Sequence, residues 1–400
     1  MQGGGIYAAS AATAFLAGLQ DANPSFARHI FAISSVSGGA IAATVFQVLA
    51  GEGRTQPSRE CDVLQHKSGP IEREMAKVML DDHFSPVVAS IVPDFLGFKW
   101  DRAEALEKSF VNSVKSCSRV AAKKLDDPFS AHWSTRDPTP SLALNTTWAE
   151  TGYRVVFAPF VLDGDGTIFS FADNKLVGGA KEQPTLMHAA IASARFPGIL
   201  PPYSIRKEWM DGKGQRHQQR WNFVDGGYSD NSGSTTAFDI YNALKDAADH
   251  ANVDLQLIDL TGAKVNPGFA TIDGTSFRDI IAPIDAILSV RRLLADQAVT
   301  RVVKSFEERK DLTETNKLKV VELQDKLFAL PLGWNISKTT FGVVSLLMGR
   351  SELCPKPAEN ECLPGRDTQG ISDVLRCNSC KMNEISNVLP PVESRSTDPH

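Results

Sequence analysis

The chain has 400 residues, of which 42% are hydrophobic and 22% are charged, enough for one large core or two smaller ones. Its formal net charge of −5 argues against a nucleic-acid-binding protein, which needs a basic surface. No apolar run reaches the roughly eighteen residues that a membrane span requires, and residues 1–5 lack the charged and apolar regions of a signal peptide. The sequence therefore predicts a protein that is cytoplasmic or peripherally associated with a membrane.

The first seventy residues predict a helix, a strand, a sharp turn, a second helix and a loop. Residues 6–19 are rich in alanine and form a helix that can lie close against a sheet. His29–Ser34 is a short apolar run of the kind that forms a buried strand. Gly38–Leu49 then predicts a helix, and the polar residues 51–70, with Gly, Pro and Ser, predict a loop.

The remaining pattern alternates between strands and helices. The predicted elements are, in chain order, helical stretches with an apolar patch over 87–100, a strand pair at 141–148 and 153–162 closed by a turn at 163–166, a helix at 184–194, a short strand at 221–224, a helix at 232–250, a strand at 255–260 and a long amphipathic helix at 277–309. This alternation predicts an α/β sandwich on a mainly parallel sheet. The apolar patch could meet lipid or pack in the core, and its helical spacing favours the core. Four basic residues of the long helix favour a solvated surface over a patch that binds lipid headgroups: Arg291, Arg292, Arg301 and Lys304.

The six cysteines are unevenly placed. Cys61 and Cys117 are isolated, and four more lie near the C-terminus: Cys354, Cys362, Cys377 and Cys380. The terminal four are compatible with disulfides or free thiols and with structural zinc, although the first pair is spaced more widely than in a usual zinc knuckle. The proline-containing stretch 351–400 predicts an appendage to a domain formed by residues 1–350. Nothing in the pattern indicates a catalytic metal.

The sharpest local signal is Ser35-Val36-Ser37-Gly38-Gly39, which follows a predicted strand and opens a predicted helix. A nucleophilic serine on such a turn needs small neighbours, because its backbone is strained. Ser37 lies at the N-terminus of the helix that follows, and the dipole of that helix favours negative charge there. The alternative interpretation of the motif is a simple Ser/Gly turn with a capping serine.

Two further motifs could complete such a site. Gly3-Gly4-Gly5 precedes a helix and could offer backbone N–H groups to an oxyanion, although phosphate loops and flexible leaders look alike. Phe223-Val224-Asp225-Gly226-Gly227 places a carboxylate at the end of a strand, where α/β sites gather, although a simple Asp-Gly turn has the same pattern. The three motifs together in one α/β pattern favour a functional site.

In this order the motifs resemble the patatin-like phospholipases, in which a glycine-rich oxyanion loop, a G-x-S-x-G elbow and a distant D-G-[AG] follow one another. The resemblance covers roughly residues 3–340. Further matching segments are Ala192–Pro202 ahead of the aspartate, Asn145–Thr147 with Gly152–Phe157 as a central hairpin, and, as in the larger bacterial members, Phe84–Pro86, Asp94–Phe95, Asp101–Glu107 and Pro331–Trp334.

The chain departs from the family pattern in three places. Ser35 stands at the first position of the elbow, where glycine is usual, and serine is also small. Tyr7 stands where an arginine or lysine often follows the glycine loop. Family members also have a β-strand before that loop, and here only Met1 and Gln2 precede Gly3. Two interpretations stay open: the sequence begins late relative to the family, or its glycine loop is weakly anchored.

The resemblance implies a three-layer α/β/α fold and a lipid acyl hydrolase that needs no cofactor or metal. Ser37 would attack the ester carbonyl and Asp225 would accept its proton, as a dyad without histidine. Backbone N–H groups of Gly3, Gly4, Gly5 and Gly38 would hold the oxyanion. The substrate would be a lipid, met at a membrane surface. The residues do not specify which lipid or acyl position is preferred, or the oligomeric state.

Two other functions remain possible. A Ser-His-Asp α/β-hydrolase places its histidine after the acid, and apart from the terminal His400 only His250 follows Asp225. His250 ends a polar helical stretch, which favours a surface histidine. The second alternative is a catalytically impaired lipid-binding module, which Tyr7 and the absence of a strand before the glycine loop would explain.

Overall fold

The computed structural model describes most of the chain. The described residues are 1, 3–51, 61–64, 68–96, 101–137, 139–162, 168–170, 183–196, 198–210, 212–213, 215–262, 278–308, 317–323, 335–348 and 371–388. Several sequence predictions lie outside them: the turn at 163–166, the end of the apolar patch at 97–100, Pro331–Trp334, Cys354 and Cys362.

The described chain contains both helices and strands, as the sequence predicts, although they alternate only in parts of it. The helices are α1 Gly5–Ala22, α2 Gly38–Ala50, α3 Pro70–Leu80, α4 Phe84–Ala89, α5 Ile91–Phe95, α6 Arg102–Cys117, α7 Arg119–Asp126, α8 Leu186–Ser193, α9 Ser234–His250, α10 Arg278–Glu307, α11 Lys338–Leu347 and α12 Ile371–Val388. The strands are β1 Ala32–Val36, β2 Ser141–Trp148, β3 Arg154–Phe157, β4 Ile168–Ser170, β5 Tyr203–Met210, β6 Arg216–Asp225, β7 Leu257–Gly262 and β8 Leu318–Leu323.

The N-terminal helix, strand and second helix lie where the sequence predicts them. The small side chains of α1 let this helix pack closely against α2, and every described α1 residue from Ile6 to Gln20 except Tyr7 is buried. Every residue of α2 is buried as well. A helix that is apolar all round can only lie inside the protein, so this pair forms the centre of the hydrophobic core.

The described strand pairings are mixed, which corrects the prediction of a mainly parallel sheet. The large sheet has the order β4-β3-β2-β6-β5, and β1 also pairs with β2. β1 and β2 are parallel, as are β3 and β4, whereas β2 pairs antiparallel with β3 and β6, and β5 pairs antiparallel with β6. Short connections between β2 and β3 and between β5 and β6 make these pairs hairpins, which are necessarily antiparallel. The three-layer arrangement stays a prediction.

β1 and β6 meet end to end along one edge of β2. β1 runs parallel to β2 and ends with Val36 opposite Asn145. β6 runs antiparallel to β2 and ends with Asp225 opposite Thr146, the next residue along β2. Because the two strands approach from opposite directions, their C-terminal ends converge at adjacent positions. Ser37, which follows β1, is thereby brought beside Asp225.

β7 and β8 form a separate parallel pair, beside which the C-terminal helix packs. Met382 and Ile385 of α12 belong to the same core cluster as α1 and α2. Lys319 of β8 forms an ion pair with Glu384 of α12 at 2.9 Å. The division of the chain at residue 350 stays a prediction.

Cys61 and Cys117, isolated in the sequence, form a disulfide with a Cα–Cα distance of 5.5 Å. The bond joins the segment before α3 to the end of α6. Cys380 is disulfide-bonded as well. Cysteine pairs this far apart in the chain give no local signal, so the sequence could not predict the pairing. No helix in the described part of the chain has the length and apolar character needed to span a membrane.

The apolar patch over 87–100 is only partly in the core, contrary to the sequence prediction. Val87 is 2% exposed, but Val88, Val92 and Leu96 are 43%, 65% and 69% exposed. α4 and α5 are short helices on the surface, and one face of them is open to solvent. The helical spacing of the patch was correctly predicted, and its burial was not.

Candidate active site

Ser37 occupies a strained turn between β1 and α2. Its φ of 54° and ψ of −125° lie in a region that residues with a side chain rarely adopt. Strain of this kind concentrates at functional sites, where it points a side chain out of the regular backbone path. The turn is held by a hydrogen bond from the Ser37 N–H to Ser193 Oγ at 3.0 Å. The geometry is that of a nucleophile elbow.

The Ser37 hydroxyl donates a hydrogen bond directly to Asp225. The distance from Ser37 Oγ to Asp225 Oδ2 is 2.7 Å, and the two residues are 3% and 1% exposed. Asp225 Oδ1 accepts from the Gly227 N–H at 2.8 Å and from Arg291 Nη2 at 2.6 Å. The two carboxylate oxygens therefore have different partners: Oδ2 faces the serine, and Oδ1 is held by two donors.

A polar network beneath the elbow holds the two strand ends together. Ser193 Oγ, which accepts from the Ser37 N–H, donates to the Asn145 carbonyl at 2.6 Å. Asn145 Nδ2 donates to Ser34 Oγ and to the Ser35 carbonyl. Each of these polar groups is buried, so each needs a partner, and the pairing fixes one arrangement of β1, β2 and α8.

The glycine loop packs against the elbow without space for side chains. A Cβ on Gly38 would lie 1.8 Å from the Gly5 carbonyl oxygen, and one on Gly3 would lie 3.0 Å from Ser37 Cβ. Gly5 has a φ of 59°, which glycine adopts without strain. These contacts bring the predicted oxyanion residues Gly3, Gly4, Gly5 and Gly38 close to Ser37.

The loop is anchored from both sides. The Val36 N–H donates to the Met1 carbonyl at 3.1 Å, and the Met1 ammonium donates to the Ser34 carbonyl at 2.7 Å. The Gly3 N–H donates to the Asn231 carbonyl at 2.8 Å. The Gly3 N–H is thereby already bonded, although the resemblance implies that it would bind the oxyanion. Gly4, Gly5 and Gly38 are left as the candidate donors.

Arg291 is buried beside Asp225, whereas the sequence predicts a solvated surface position. Its side chain lies on α10 and is 9% exposed. Besides Asp225, its Nη2 contacts Asn231 Oδ1 at 3.2 Å. The prediction was wrong because the helical pattern of α10 does not show which turn faces the end of β6. Exposed Arg301, ten residues later, does lie on the surface as predicted.

Two neighbouring aromatic rings, with centroids 6.2 Å apart, pack against the Arg291 guanidinium. Its Cζ lies 5.2 Å from the ring centroids of both Phe196 and Tyr228, a distance at which cations are attracted to aromatic faces. Burial raises the pKa of Tyr228 above its usual value, so the phenol stays neutral. A Cβ on Gly227 would lie 2.2 Å from Arg291 Nη2, so the second glycine after Asp225 makes room for the arginine.

Among the residues that the structure describes, no histidine takes part in the contact between Ser37 and Asp225. His250 ends α9 on the surface, where its Nδ1 forms a hydrogen bond with the Asp246 carbonyl of its own helix. A third member for a Ser-His-Asp arrangement is therefore not supplied by His250. Within the described ranges, no group of three or more His, Cys, Asp or Glu side chains could hold a metal ion.

The comparison with curated proteins found no match for the chain. The family model described as Patatin-like phospholipase matches residues 1–238, which is more than half of the 400 residues. The matched segment includes the glycine loop, the elbow at Ser37 and Asp225, and it ends before Arg291. On this match, the chain belongs to the patatin-like phospholipase family.

Proposed function

We propose that the protein is a lipid acyl hydrolase that cleaves carboxylic esters with a dyad of Ser37 and Asp225. The observation that carries the proposal is the direct hydrogen bond from Ser37 Oγ to Asp225 Oδ2, 2.7 Å long and buried. A general base must lie within hydrogen-bond reach of the proton that it removes, and Asp225 meets this condition without an intermediary. The family match supports a lipid as the substrate class.

The reaction proceeds in two steps through an acyl-enzyme. Ser37 Oγ attacks the ester carbonyl carbon while its proton passes to Asp225 Oδ2, and the leaving alcohol then takes that proton as its bond to the carbonyl carbon breaks. In the second step, water attacks the acyl-enzyme and gives a proton to Asp225. That proton returns to Ser37 Oγ as the fatty acid leaves. Each step returns the site to its initial protonation state.

The oxyanion formed in each step needs preorganised donors beside Ser37. We assign this role to the backbone N–H groups of Gly4, Gly5 and Gly38, because the Gly3 N–H is bonded to Asn231. Gly38 begins α2, so the N-terminal end of that helix also favours negative charge at this position. Removing one such donor typically costs about 3 kcal/mol of transition-state stabilisation.

We further propose that the enzyme meets its substrate at a phospholipid bilayer, through one face of α4 and α5. Phe84, Val88, Val92 and Leu96 are spaced four residues apart and are 43–69% exposed. Four exposed apolar side chains in a row are unusual on a surface that only meets water. A helix face of this kind binds by inserting apolar side chains at the lipid interface.

This apolar face is connected to the active site by a short chain of contacts. Arg102 Nε pairs with Asp94 of α5 at 2.7 Å, and its Nη1 donates to the Gly198 carbonyl at 3.2 Å. In the same segment as Gly198, the Arg195 carbonyl accepts the Asp225 N–H at 3.0 Å. Lipid bound by α4 and α5 would therefore lie near the segment that contains Arg195 and Gly198, and this segment contacts Asp225.

Fatty-acid release from phospholipid vesicles tests the proposed activity. The parent protein should release fatty acid, and Ser37→Ala should release none above background while melting at the parent temperature. For the bilayer contact, a double change of Val92→Ser and Leu96→Ser should weaken vesicle binding and leave hydrolysis of a soluble ester unchanged. Val253→Ser, at a position after α9 that is also more than half exposed, is the control. A parent that releases no fatty acid from vesicles or soluble esters would refute the proposed function.

A further inference from the structure

The matched family segment ends at residue 238, yet the hydrogen bonds of Asp225 extend beyond it to Arg291 of α10. We propose that Arg291 is a positioning residue of the site: it fixes the orientation of Asp225 and balances its charge. The inference rests on the proposed dyad, because it concerns how Asp225 presents one oxygen to Ser37. It also makes α10 part of the functional unit.

Arg291 determines which carboxylate oxygen faces the serine. Asp225 Oδ1 accepts from Arg291 Nη2 at 2.6 Å and from the Gly227 N–H at 2.8 Å. With Oδ1 held by two donors, Oδ2 is left for Ser37 Oγ at 2.7 Å. In a triad the acid orients a histidine. Here the acid itself receives the proton, and the arginine orients the acid.

The arginine is itself held in place before substrate binds. Its guanidinium packs beside the adjacent Phe196 and Tyr228 rings, and Asn231 Oδ1 accepts from Nη2 at 3.2 Å. Gly227 leaves the space that the guanidinium occupies. A long side chain usually loses much rotamer freedom on forming an ion pair. Packing against two rings restricts Arg291 in advance, so its position does not depend on the ion pair alone.

Charge balance gives the arginine a role throughout the reaction. Before attack, the positive charge of Arg291 faces the negative charge of Asp225 in a buried setting. When Asp225 accepts the serine proton it becomes neutral, and the negative charge appears on the substrate oxyanion. The site then still holds one positive and one negative charge. Without Arg291 the same steps would leave an uncompensated buried charge, which is costly.

The test replaces Arg291 by glutamine, lysine and alanine and measures kcat and KM on a soluble nitrophenyl ester, with thermal melting of each variant. Arg301→Gln, on the same helix and exposed, is the matched control. We expect Arg291→Gln to lower kcat by about 100-fold with little change in KM, because a misplaced reacting group costs about this much. Arg291→Lys should keep part of the rate, and Arg301→Gln should keep all of it.

Added guanidinium ion separates positioning from folding. In Arg291→Ala it should occupy the vacated space and restore part of kcat, whereas it should not restore Ser37→Ala. A kcat of Arg291→Gln within about threefold of the parent would overturn the inference. So would a rise in KM at unchanged kcat, which would make Arg291 a substrate-binding residue. These outcomes all require an active parent, so they are distinct from a failure of the proposed function.

Discussion

Ser37 and Asp225 are 188 residues apart in the chain, and their side chains are joined by a hydrogen bond of 2.7 Å. The contact follows from strand directions, since β1 and β6 approach each other along the same edge of β2 and end at adjacent residues of it. The turn after β1 points the Ser37 side chain away from the path of the strand, and β6 ends at Asp225. The sheet thus places both groups without help from a flexible loop.

Replacing Asp225 by asparagine should separate a dyad from a triad. The amide oxygen can still accept from Arg291 and Gly227, so we expect the fold to persist, but an amide cannot accept the serine proton. The rate should fall about 100-fold or more at neutral pH. The parent's pH profile of kcat/KM should show no histidine-like step near about 6.5, and His250→Ala should match the parent. A step that disappears in His250→Ala would instead favour a Ser-His-Asp hydrolase.

Gly38→Ala should damage both the fold around the elbow and the activity. The new Cβ would lie 1.8 Å from the Gly5 carbonyl oxygen, a backbone atom, so the glycine loop would have to move. We expect a lower melting temperature and at least about a 100-fold loss of kcat. Gly342→Ala in α11 is the control, because its Cβ meets nothing within 4 Å and alanine favours a helix by about 1 kcal/mol. Equal effects of the two changes would contradict the close packing of loop and elbow.

The disulfide between Cys61 and Cys117 should contribute to stability and leave the chemistry unchanged. The two cysteines are 56 residues apart, and closing a loop of this size restricts the unfolded chain by about 4 kcal/mol. Replacing both by alanine should lower the free energy of unfolding by a comparable amount and keep ester hydrolysis within about twofold, since neither cysteine lies on an element that carries Ser37, Asp225 or Arg291. A reducing agent should destabilise the parent more than the double variant.

The disulfide between Cys61 and Cys117 also indicates the cellular compartment of the protein. Disulfides persist in oxidising compartments and are rare in the cytosol. The bond therefore favours an oxidising compartment over the cytoplasmic location expected from the sequence. Protein taken from its native cells under conditions that trap thiols should show Cys61 and Cys117 protected from alkylation. Full alkylation of both would restore the cytoplasmic expectation.

Glu107 should make stability depend on pH. Burial raises the pKa of this carboxyl from 4.5 to about 7, so the folded chain binds the proton more tightly than the unfolded chain does. The contribution of Glu107 to the free energy of unfolding therefore falls as pH rises from about 4.5 to about 7. Burial lowers the pKa of neighbouring His188 to about 4, and that group costs stability as pH falls below about 6.5. The two effects oppose each other between these limits, so the effect of Glu107 is clearest above pH 7.

Glu107→Gln isolates this contribution. The variant keeps an oxygen for the hydrogen bond from Thr185 and removes the charge. Above pH 7 it should unfold with a free energy at least about 1 kcal/mol higher than the parent, and below about pH 4.5 the difference should disappear. Glu104→Gln, on the same helix and more exposed, is the control and should show little pH-dependent change. A variant that is less stable than the parent at pH 8 would contradict the burial argument.

The sequence predicts the local structure around Ser37 well, because its signals are local. The strand before Ser37, the two glycines after it and the alanine-rich helix α1 each follow from residues within a few positions. The sequence also singles out Asp225 as a candidate, since the two glycines that follow it mark a special backbone position. What joins these motifs is the convergence of β1 and β6 along β2, which no local pattern encodes.

The features that the sequence does not predict depend on tertiary contacts. Arg291 is one of several basic residues on an amphipathic helix, and its ion pair with Asp225 and its packing beside Phe196 and Tyr228 distinguish it from Arg301. The exposure of Val92 could not be seen either, because an apolar helix face looks the same in the core and at a lipid interface. The hairpin of β5 with the polar start of β6 lacks the alternation of apolar residues that would reveal a strand.

Covalent labelling of Ser37 tests the central claim most directly. A fluorophosphonate probe forms a stable adduct with an activated serine, and peptide mapping by mass spectrometry locates that adduct. The account predicts one adduct, on Ser37, that forms at least about 100-fold more slowly in Asp225→Asn and is absent in Ser37→Ala. Labelling of another residue, or labelling of Ser37 at the parent rate in Asp225→Asn, would contradict the Ser37–Asp225 dyad.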